Sequence, residues 1–504
     1  MCIATATEES WAFACLGGDL QPNRLSDDFE CRACITDWIC QGPNRASNVV
    51  GLSPMSTLIG KQAVVIGAGM GGLSAARAVT DYFEQVVVVE RDTLPADPIH
   101  RVGTPQAQHV HGLLSGGLNA LRALFPNIEQ DLVRADAIPL RAGLDTRVER
   151  PGFNPFLQRD LGWVSYSMSR PLLEHTVRRQ LEGYPNISLR QRCRAENVLV
   201  TSDGGRVRAV ECENLDGTIE VLPADMVIDA SGRGNVTLAL LKRTGRPLPE
   251  ETIIGIDCHY TTALIPIPPT APADWKGVFT FPDAPASNCG ALMLPIEGNR
   301  WIVTFGGRHG VSAPAEWQGL LTYAKQLRTP TVYDAIKHAP PPERLPQFGF
   351  PESVWRHFER LQALPTGLLP VADAVCRFNP VYGQGMSVAA QEACILHNLL
   401  GSRSTLADPL LGLSATFFQE AVPLIDSPWA MAANLDFVYP QTRGKRPADL
   451  ERSLKFGLAL NRIATRDPTV HKLTLEVQHL LKPRSALSTP ELVDRVQAEM
   501  AAVI

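Results

Sequence analysis

The sequence predicts an α/β (α+β) fold in which a Rossmann-type dinucleotide-binding domain is interwoven with an antiparallel-sheet domain and followed by a helical C-terminal region. Three patterns lead to this prediction. A strand, a glycine-rich turn, a helix and a second strand follow one another over residues 61–92. Short aromatic strands fill residues 251–306, and helical spacing of apolar residues dominates after Gly385.

The composition bounds the class of protein. With 504 residues, 45% of them hydrophobic and 20% charged, the chain is long enough for two or three domains. A net charge of −5 argues against a nucleic-acid surface, which needs clustered Lys and Arg. No apolar run approaches the roughly 18 residues of a membrane-spanning helix, and the N-terminus shows no secretion signal. We expect a cytoplasmic protein with small-molecule partners and without membrane association; its oligomeric state is left open.

The first 54 residues show no periodic pattern, and we expect residues 1–54 to be an extension outside the fold. Five of the 11 cysteines lie there. One Cys-x-x-Cys, Cys31 to Cys34, has neither a second pair nor suitably spaced histidines nearby, so no metal site is predicted. A disulfide framework is not expected in a chain of this size without a secretion signal. Met55 is a candidate for the true start.

The first glycine-rich turn has the spacing of a dinucleotide site. Strands are predicted at Ala63–Ile66 and Val86–Val89, both apolar without alternation, as in a parallel sheet that is buried on two faces. Glu90 ends the second strand, where a carboxylate can accept hydrogen bonds from a ribose diol. The turn between the strands fits Gly-x-Gly-x-x-Gly with Gly67, Gly69 and Gly72.

The elements that follow alternate between helix and short strands. Ser169 is predicted to cap a helix with Pro171 in its first turn and Arg170 at its start, where the guanidinium can reach a phosphate or a ribityl oxygen; a solvated Arg170 is the alternative. Residues 187–229 have the turns of a meander. The predicted domain limits are 1–54 for the extension, 55–250 and 351–400 for the two parts of the cofactor domain, 251–350 for the substrate-binding sheet domain and 401–504 for the helical region.

A second glycine-rich loop, Pro380–Gly385, precedes a predicted helix. A nicotinamide enzyme needs one such loop, whereas flavin adenine dinucleotide (FAD) is longer and its ring must also be held. The loop offers free backbone N–H groups and the positive end of a helix dipole. Asp373 is suitably placed for the ribityl chain, and Gly383 lets the ring approach the backbone. We therefore predict a Rossmann-type FAD-binding domain, with a merely structural turn as the alternative.

Three segments resemble the fingerprints of flavoprotein monooxygenases of the para-hydroxybenzoate hydroxylase type: the first glycine turn, "VIDASGRG" and "ADAVCRFNPVYGQGMSVAAQEA". Within that superfamily, "RVGTPQAQHVHGLLSGGLNALRALFP" and "FNPVYGQGMS" are most similar to the bacterial polyether epoxidase branch, which is related in style to squalene epoxidases. The resemblance covers Ile59 to about His397 and, more weakly, the helical tail.

The resemblance implies an FAD that is reduced by NADPH or NADH and reacts with O₂ to a C4a-hydroperoxyflavin, which epoxidises or hydroxylates an apolar substrate. By analogy, that substrate is a polyketide, terpenoid or alkaloid-like secondary metabolite. Carried across by position, the resemblance assigns Gly67, Gly69, Gly72 and Glu90 to the ADP half, Arg170 and Asp373 to the middle, and Gly383, Gly385 and Met386 to the ring; Arg91 and Val198 complete the predicted cofactor-binding set.

The chain departs from related patterns at three places. We call the second glycine-rich loop, Pro380–Gly385, the ring loop. The related pattern has Gly-Asp before this loop, whereas this chain has Ala372-Asp373, and the extra methyl group is expected to crowd the ribityl chain. Aromatic hydroxylases carry an Asp-Gly pair where this chain has Ser231-Gly232, which argues against a simple aromatic hydroxylase. Flavin halogenases use a lysine near the early loops, but residues 90–241 contain none, so halogenation is not expected.

The segment from Arg101 to Gly117 is the predicted substrate side of the ring. Arg101, His109 and His111 are the candidate catalytic residues, because they can hydrogen-bond a substrate carbonyl or the reactive oxygen. Purely structural histidines are the alternative. Two other functions stay open: a flavin reductase or dehydrogenase that acts on a prenyl or polyketide chain, and a non-catalytic flavin-binding accessory protein.

Overall fold

The computed structural model describes residues 57–502, so the predictions for residues 1–54, their cysteines and Met55 lie outside the described residues. The strands are β1 (Gly60–Ile66), β2 (Phe83–Glu90), β3 (Ile138–Arg141), β4 (Thr146–Glu149), β5 (Val164–Ser167), β6 (Ile187–Gln191), β7 (Cys193–Val200), β8 (Val207–Asn214), β9 (Ile219–Pro223), β10 (Met226–Asp229), β11 (Glu251–Pro266), β12 (Gly277–Thr280), β13 (Gly290–Ile296), β14 (Arg300–Arg308), β15 (Gln347–Arg356), β16 (Leu368–Pro370) and β17 (Cys376–Arg377). The helices are α1 (Met70–Val79), α2 (Ser115–Leu124), α3 (Ile128–Arg134), α4 (Arg170–Leu181), α5 (Asn235–Arg243), α6 (Trp317–Ala324), α7 (Thr331–Ile336), α8 (Gly385–Arg403), α9 (Leu413–Asp436), α10 (Leu450–Arg466), α11 (Pro468–Gln478) and α12 (Pro490–Ala501).

A five-stranded parallel sheet forms the centre of the predicted cofactor domain. Its order is β16-β10-β1-β2-β6, and all neighbouring strands run parallel. The middle of β1, Ala63–Val65, is fully buried, as the unbroken apolar runs predict. The first strand of the predicted meander, β6, pairs with β2 instead. Because β16 comes from a distant part of the chain, the cofactor domain is interrupted by the second sheet.

A seven-stranded, largely antiparallel sheet provides the second layer, in the order β17-β15-β11-β14-β13-β12-β4. One face packs against α6 and α7 through Ala263, Ile265, Val303 and Phe305. Since side chains alternate along a strand, Tyr260 and Thr262 of β11 project from the opposite face. That face is therefore turned towards the cofactor domain, whose core includes Tyr260.

A small antiparallel sheet, β7-β8-β9, keeps part of the predicted meander. The chain then enters the parallel sheet through β10 and leaves it by a turn in which Gly232 and Gly234 have φ of 83° and 64°. Such left-handed backbone favours glycine, which explains both residues in "ASGRG".

Helices form the C-terminal part of the chain. The 19-residue α8 packs on α1 and α2, and α9–α12 follow. Pro490 occupies the first turn of α12, and the side chain of the preceding Thr489 makes no capping hydrogen bond. Within residues 57–502, none of the helices is both long and apolar enough to cross a membrane. The predicted fold class is confirmed.

Candidate functional site

The first glycine turn joins β1 to α1. Gly67 has φ of 101°, and its N–H donates to the Val89 carbonyl at 2.8 Å. A Cβ on Gly72 would lie 1.8 Å from the carbonyl oxygen of Gly67, so α1 comes this close to the strand only because position 72 is glycine. The turn leaves the N-terminal N–H groups of α1 free for an anion.

The edge of this turn is open at Gly69. Within 4 Å of a Cβ built on Gly69, the only atom of the described residues is Nη2 of Arg170, at 4.0 Å. Arg170 begins α4, whose N-cap Ser169 accepts from the Leu172 N–H at 3.2 Å, as predicted. Nη2 of Arg170 donates to Glu174 at 2.9 Å, while its Nε is buried without an acceptor. An open glycine edge beside an orphaned guanidinium N–H fits a pyrophosphate.

Glu90 lies beside the same turn. Its carboxylate accepts from the backbone N–H of Ala68 at 2.8 Å and of Asp92 at 3.0 Å. A carboxylate has about four lone-pair positions, so a ribose diol can still donate to Glu90. The location of Glu90 suits the predicted binding of the ribose, which stays a prediction.

Arg101 lies at this end of the site. It contacts Asp92 at 2.8 Å and Glu174 at 2.7 Å, and its Nη2 donates to the Ala68 carbonyl at 3.3 Å. None of its described hydrogen bonds reaches the two candidate histidines. These contacts associate Arg101 with the first glycine turn instead of the predicted substrate side. Glu174, which contacts both Arg101 and Arg170, was not identified from the sequence. Its spacing of one helical turn from Arg170 is a pattern that favours an ion pair.

Arg91 and Val198 are two further residues of the predicted cofactor-binding set. Arg91 is exposed at the end of β2. Val198 is fully buried in the apolar cluster between the parallel sheet and β7-β8-β9. The part that either residue plays in binding stays untested.

The second glycine loop comes close to the segment that carries the two histidines. The side chain of Asn379 accepts from the Val381 N–H at 3.1 Å, and Gly383 follows with φ of 65°. A Cβ on Gly383 would lie 3.6 Å from the Gly112 carbonyl, whereas a Cβ on Gly112 would meet open space. The structure thus brings the predicted ring loop and the predicted substrate side together.

Asp373 faces the start of α8. A Cβ on Gly385 would lie 3.7 Å from Oδ1 of Asp373, and Met386 packs half-buried against the core. Among residues 57–502 no group donates a hydrogen bond to the Asp373 carboxylate. Burial raises the pKa of this carboxyl. A polyol such as the ribityl chain would supply the missing donors.

Ala372 has the left-handed φ of 55°, which explains why the related pattern has glycine there. Its Cβ lies 2.6 Å from where a Cβ on Gly71 would be, so Ala372 fits against α1 because position 71 is glycine, and the expected crowding of the ribityl chain stays a prediction. We expect Ala372→Gly to raise the free energy of unfolding by about 0.5–1 kcal/mol, because relief of strain exceeds the entropy that glycine costs. Urea unfolding measures it.

The matched control is Ala374→Gly, which makes the same change two residues later. Ala374 is fully buried and has no left-handed φ, so its variant is expected to lose about 1 kcal/mol. A loss of stability in both variants would contradict the account of Ala372.

Glu392 of α8 supports the same turn. One of its oxygens accepts from the Ala372 N–H at 2.7 Å, and the other is buried without a partner. Burial, opposed in part by this hydrogen bond, raises the pKa of Glu392 from 4.5 to about 7. The folded protein therefore holds this proton more tightly than the unfolded chain between those pH values.

This pKa predicts a pH dependence of stability. The contribution of Glu392 is complete below pH 4.5 and is lost as pH rises to about 7, by up to about 3 kcal/mol. Glu392→Gln is expected to remove that loss, measured as the difference between the variant and the native protein in urea unfolding at each pH. The exposed Glu491→Gln serves as control. Parallel curves for the native protein and Glu392→Gln would contradict the prediction.

His109 and His111 lie in the segment before α2. Nδ1 of His109 is 2.7 Å from Oγ1 of Thr262, and its ring lies 6.0 Å from that of Tyr260 and 5.7 Å from that of Phe348. Nδ1 of His111 is 3.0 Å from the His109 carbonyl oxygen. Burial lowers the pKa of His109 to about 4 and that of His111 to about 3, so both are neutral near pH 7.

A buried carboxylate at the end of α9, Asp436, forms hydrogen bonds with both the ring loop and the second sheet. Oδ1 of Asp436 accepts from Asn379 at 2.9 Å, from the Tyr382 hydroxyl at 2.8 Å and from Arg308 of β14. Oδ2 is buried without a partner. We name these four residues the Asp436 network. No local pattern in the sequence indicated it.

Comparison with known proteins identifies a relative. No family model matches the sequence. The protein Rv3254 of Mycobacterium tuberculosis is 31% identical over 362 residues, which make up 68% of this chain and 73% of Rv3254. The chain belongs to the Rv3254 family.

Solved structures show the fold that this member of the Rv3254 family shares. A flavoprotein/dehydrogenase from Cytophaga hutchinsonii has a TM-score of 0.64 and 13% identity, covering 88% of this chain and all of the other (100%). The flavin-dependent brominase Bmp2 gives 0.61 and 12%, covering 88% and 98%. PqsL of Pseudomonas aeruginosa, a probable FAD-dependent monooxygenase, gives 0.56 and 17%, covering 76% and 97%. The predicted likeness to flavin-dependent monooxygenases is thus confirmed for the fold.

Proposed function

We propose that this member of the Rv3254 family is an FAD-dependent monooxygenase, which uses NADPH or NADH and O₂ to epoxidise or hydroxylate an apolar secondary-metabolite substrate. The observation that carries the proposal is that α1 and α8, the helices that follow two glycine turns distant in sequence, pack on each other. The Asp373 carboxylate, which receives no hydrogen bond from the described residues, faces the start of α8, and the neighbouring Ala372 lies against Gly71 of α1.

The residues divide along the length of the dinucleotide. The turn at Gly67 and the carboxylate of Glu90 suit the ADP half, and Arg170 has an orphaned N–H for the pyrophosphate. Asp373 suits the ribityl chain, and the N-terminus of α8 suits the electron-rich edge of the ring. Bound there, FAD would supply hydride acceptance from NAD(P)H and activation of O₂.

The protein must also exclude water and hold the substrate. The sheet face towards the site carries the aromatic rings of Tyr260 and Phe348, which stack 6.4 Å apart. The neutral state of His109 avoids a buried charge beside them. Such surroundings suit an uncharged substrate and a dry reaction.

The test needs the purified protein with its flavin. We expect about one FAD per chain, its anaerobic reduction by NADPH or NADH, and incorporation of one ¹⁸O atom from ¹⁸O₂ into a product when polycyclic and polyene compounds are screened. A protein that purifies without flavin and takes up none would refute FAD dependence.

The same experiment separates the rival functions. Reduction by NAD(P)H followed by saturation of an alkene, without ¹⁸O in the product, would establish the reductase or dehydrogenase alternative. A flavin that neither nucleotide reduces would favour an accessory protein. A product that appears only with bromide or chloride would mean halogenation, which the lack of lysine in residues 90–241 argues against.

A further inference from the structure

A chain of hydrogen bonds joins His109 to the sheet above it. The Val110 N–H donates to Oγ1 of Thr304 at 2.9 Å, the hydroxyls of Thr304 and Thr262 are 2.6 Å apart, and Thr262 lies 2.7 Å from Nδ1 of His109. Both threonines are buried, so each hydroxyl hydrogen needs an acceptor inside the protein.

The chain fixes the position of the proton on the neutral imidazole. If Thr304 donates to Thr262, and Thr262 donates to Nδ1 of His109, every hydroxyl hydrogen has an acceptor. In the opposite direction, Thr304 would accept two hydrogen bonds, and its own hydrogen would have no acceptor among the described residues. The first arrangement is favoured, and it makes Nε2 of His109 the N–H donor.

That donor has no partner among residues 57–502. Nε2 of His109 is buried without a hydrogen bond, and the residue is 4% exposed. A buried donor left unsatisfied destabilises the protein, so an acceptor from a ligand would stabilise it. The open space at Gly112, three residues away, leaves room on this side of the ring loop.

The charges nearby indicate what kind of acceptor fits. Arg308 lies on the same sheet face as Tyr260, and it already forms an ion pair with Asp436. A carboxylate ligand would therefore be buried without a countercharge, which is costly. The rings of Tyr260 and Phe348 offer flat apolar contact. An uncharged carbonyl oxygen on a planar apolar body would accept the Nε2–H hydrogen bond, bring no charge into the site and pack on the two rings.

We propose that His109 donates its Nε2–H to a neutral carbonyl oxygen of the substrate, a ketone, amide or quinone whose apolar body packs on Tyr260 and Phe348. This assignment rests on the proposed function, since it specifies the substrate class of the same site. Its test uses binding to the oxidised, FAD-loaded protein without turnover. Failure of the monooxygenase reaction would therefore show in the oxygen-incorporation experiment, and failure of the substrate class would show here.

The probes are 1-acetonaphthone and 1-ethylnaphthalene, which are similar in size and differ in the carbonyl oxygen. We expect the ketone to bind about tenfold more tightly to the native protein by calorimetric titration, as one additional hydrogen bond implies. His109→Phe should abolish the preference, whereas His109→Gln, which keeps an N–H donor at a similar distance, should retain it. Equal affinities in the native protein, no binding of the ketone, or a preference kept by His109→Phe would overturn the proposal.

Two controls separate this role from a structural one. His471 is also a buried histidine with an unpartnered ring nitrogen, but it packs on Phe156 among the C-terminal helices. His471→Phe should keep the preference for the ketone. Nitrogen-15 NMR of histidine-labelled protein, assigned by difference from His109→Gln, should show His109 protonated at Nε2. The opposite tautomer would overturn the proposal.

Discussion

Gly72→Ala is expected to abolish FAD binding and to destabilise the fold by more than about 3 kcal/mol. The new Cβ would lie 1.8 Å from the carbonyl oxygen of Gly67 and 2.9 Å from its carbon. Both atoms are backbone of the turn itself, so no side chain can move aside. α1 must shift away from β1, which destroys the N–H cradle. The flavin-to-protein absorbance ratio and urea unfolding measure the two effects.

Gly457→Ala is the matched control for this experiment. Gly457 lies inside α10, and a Cβ there meets open space. That variant should keep its flavin and gain about 0.5–1 kcal/mol, because alanine is the better helix former. If Gly72→Ala bound FAD with native affinity, the turn at Gly67–Gly72 would not be the nucleotide site.

Asp436→Ala is expected to lower the free energy of unfolding by about 3–5 kcal/mol, because it leaves the buried guanidinium of Arg308 without its countercharge. The variant also removes the shared acceptor of Asn379 and Tyr382, the residues that open the ring loop. We therefore expect weaker FAD binding together with the loss of stability, measured by urea unfolding and by titration of the apoprotein with FAD.

Glu451→Ala provides the comparison for Asp436→Ala. Glu451 pairs with Lys455 on the surface, with the glutamate side chain 84% exposed, so its removal should leave the stability almost unchanged. A loss below about 1 kcal/mol in Asp436→Ala would show that the network contributes little and that the ring loop is held by other contacts.

The parts of the site that could be predicted are those encoded by neighbouring residues. The turn at Gly67–Gly72 and the cap at Ser169 each follow from a short pattern with a steric or hydrogen-bonding reason. Ala372 could be recognised as unusual, but only the backbone shows that it is forced into left-handed φ.

The parts that could not be predicted depend on contacts between distant segments. Thr262 lies on a strand far from His109 in sequence, and its register within the sheet decides which hydroxyl meets the imidazole. Asp436 is an ordinary helix residue until α9 packs against the ring loop. Arg101 had a plausible place near the histidines, yet three carboxylates and the Ala68 carbonyl hold it at the first turn.

The order of strands in the parallel sheet has a consequence for synthesis on the ribosome. β1 and β2 emerge early, but β10 has one edge free until β16 arrives, and α1 lacks its partner until α8 is complete. The growing chain must therefore keep an apolar, incompletely paired sheet from aggregating while strands β11 to β15 of the second sheet are made. Nascent chains that end before Leu368 are expected to be held by chaperones, and on the proposed function FAD would be captured only after residues up to about Arg403 have left the exit tunnel.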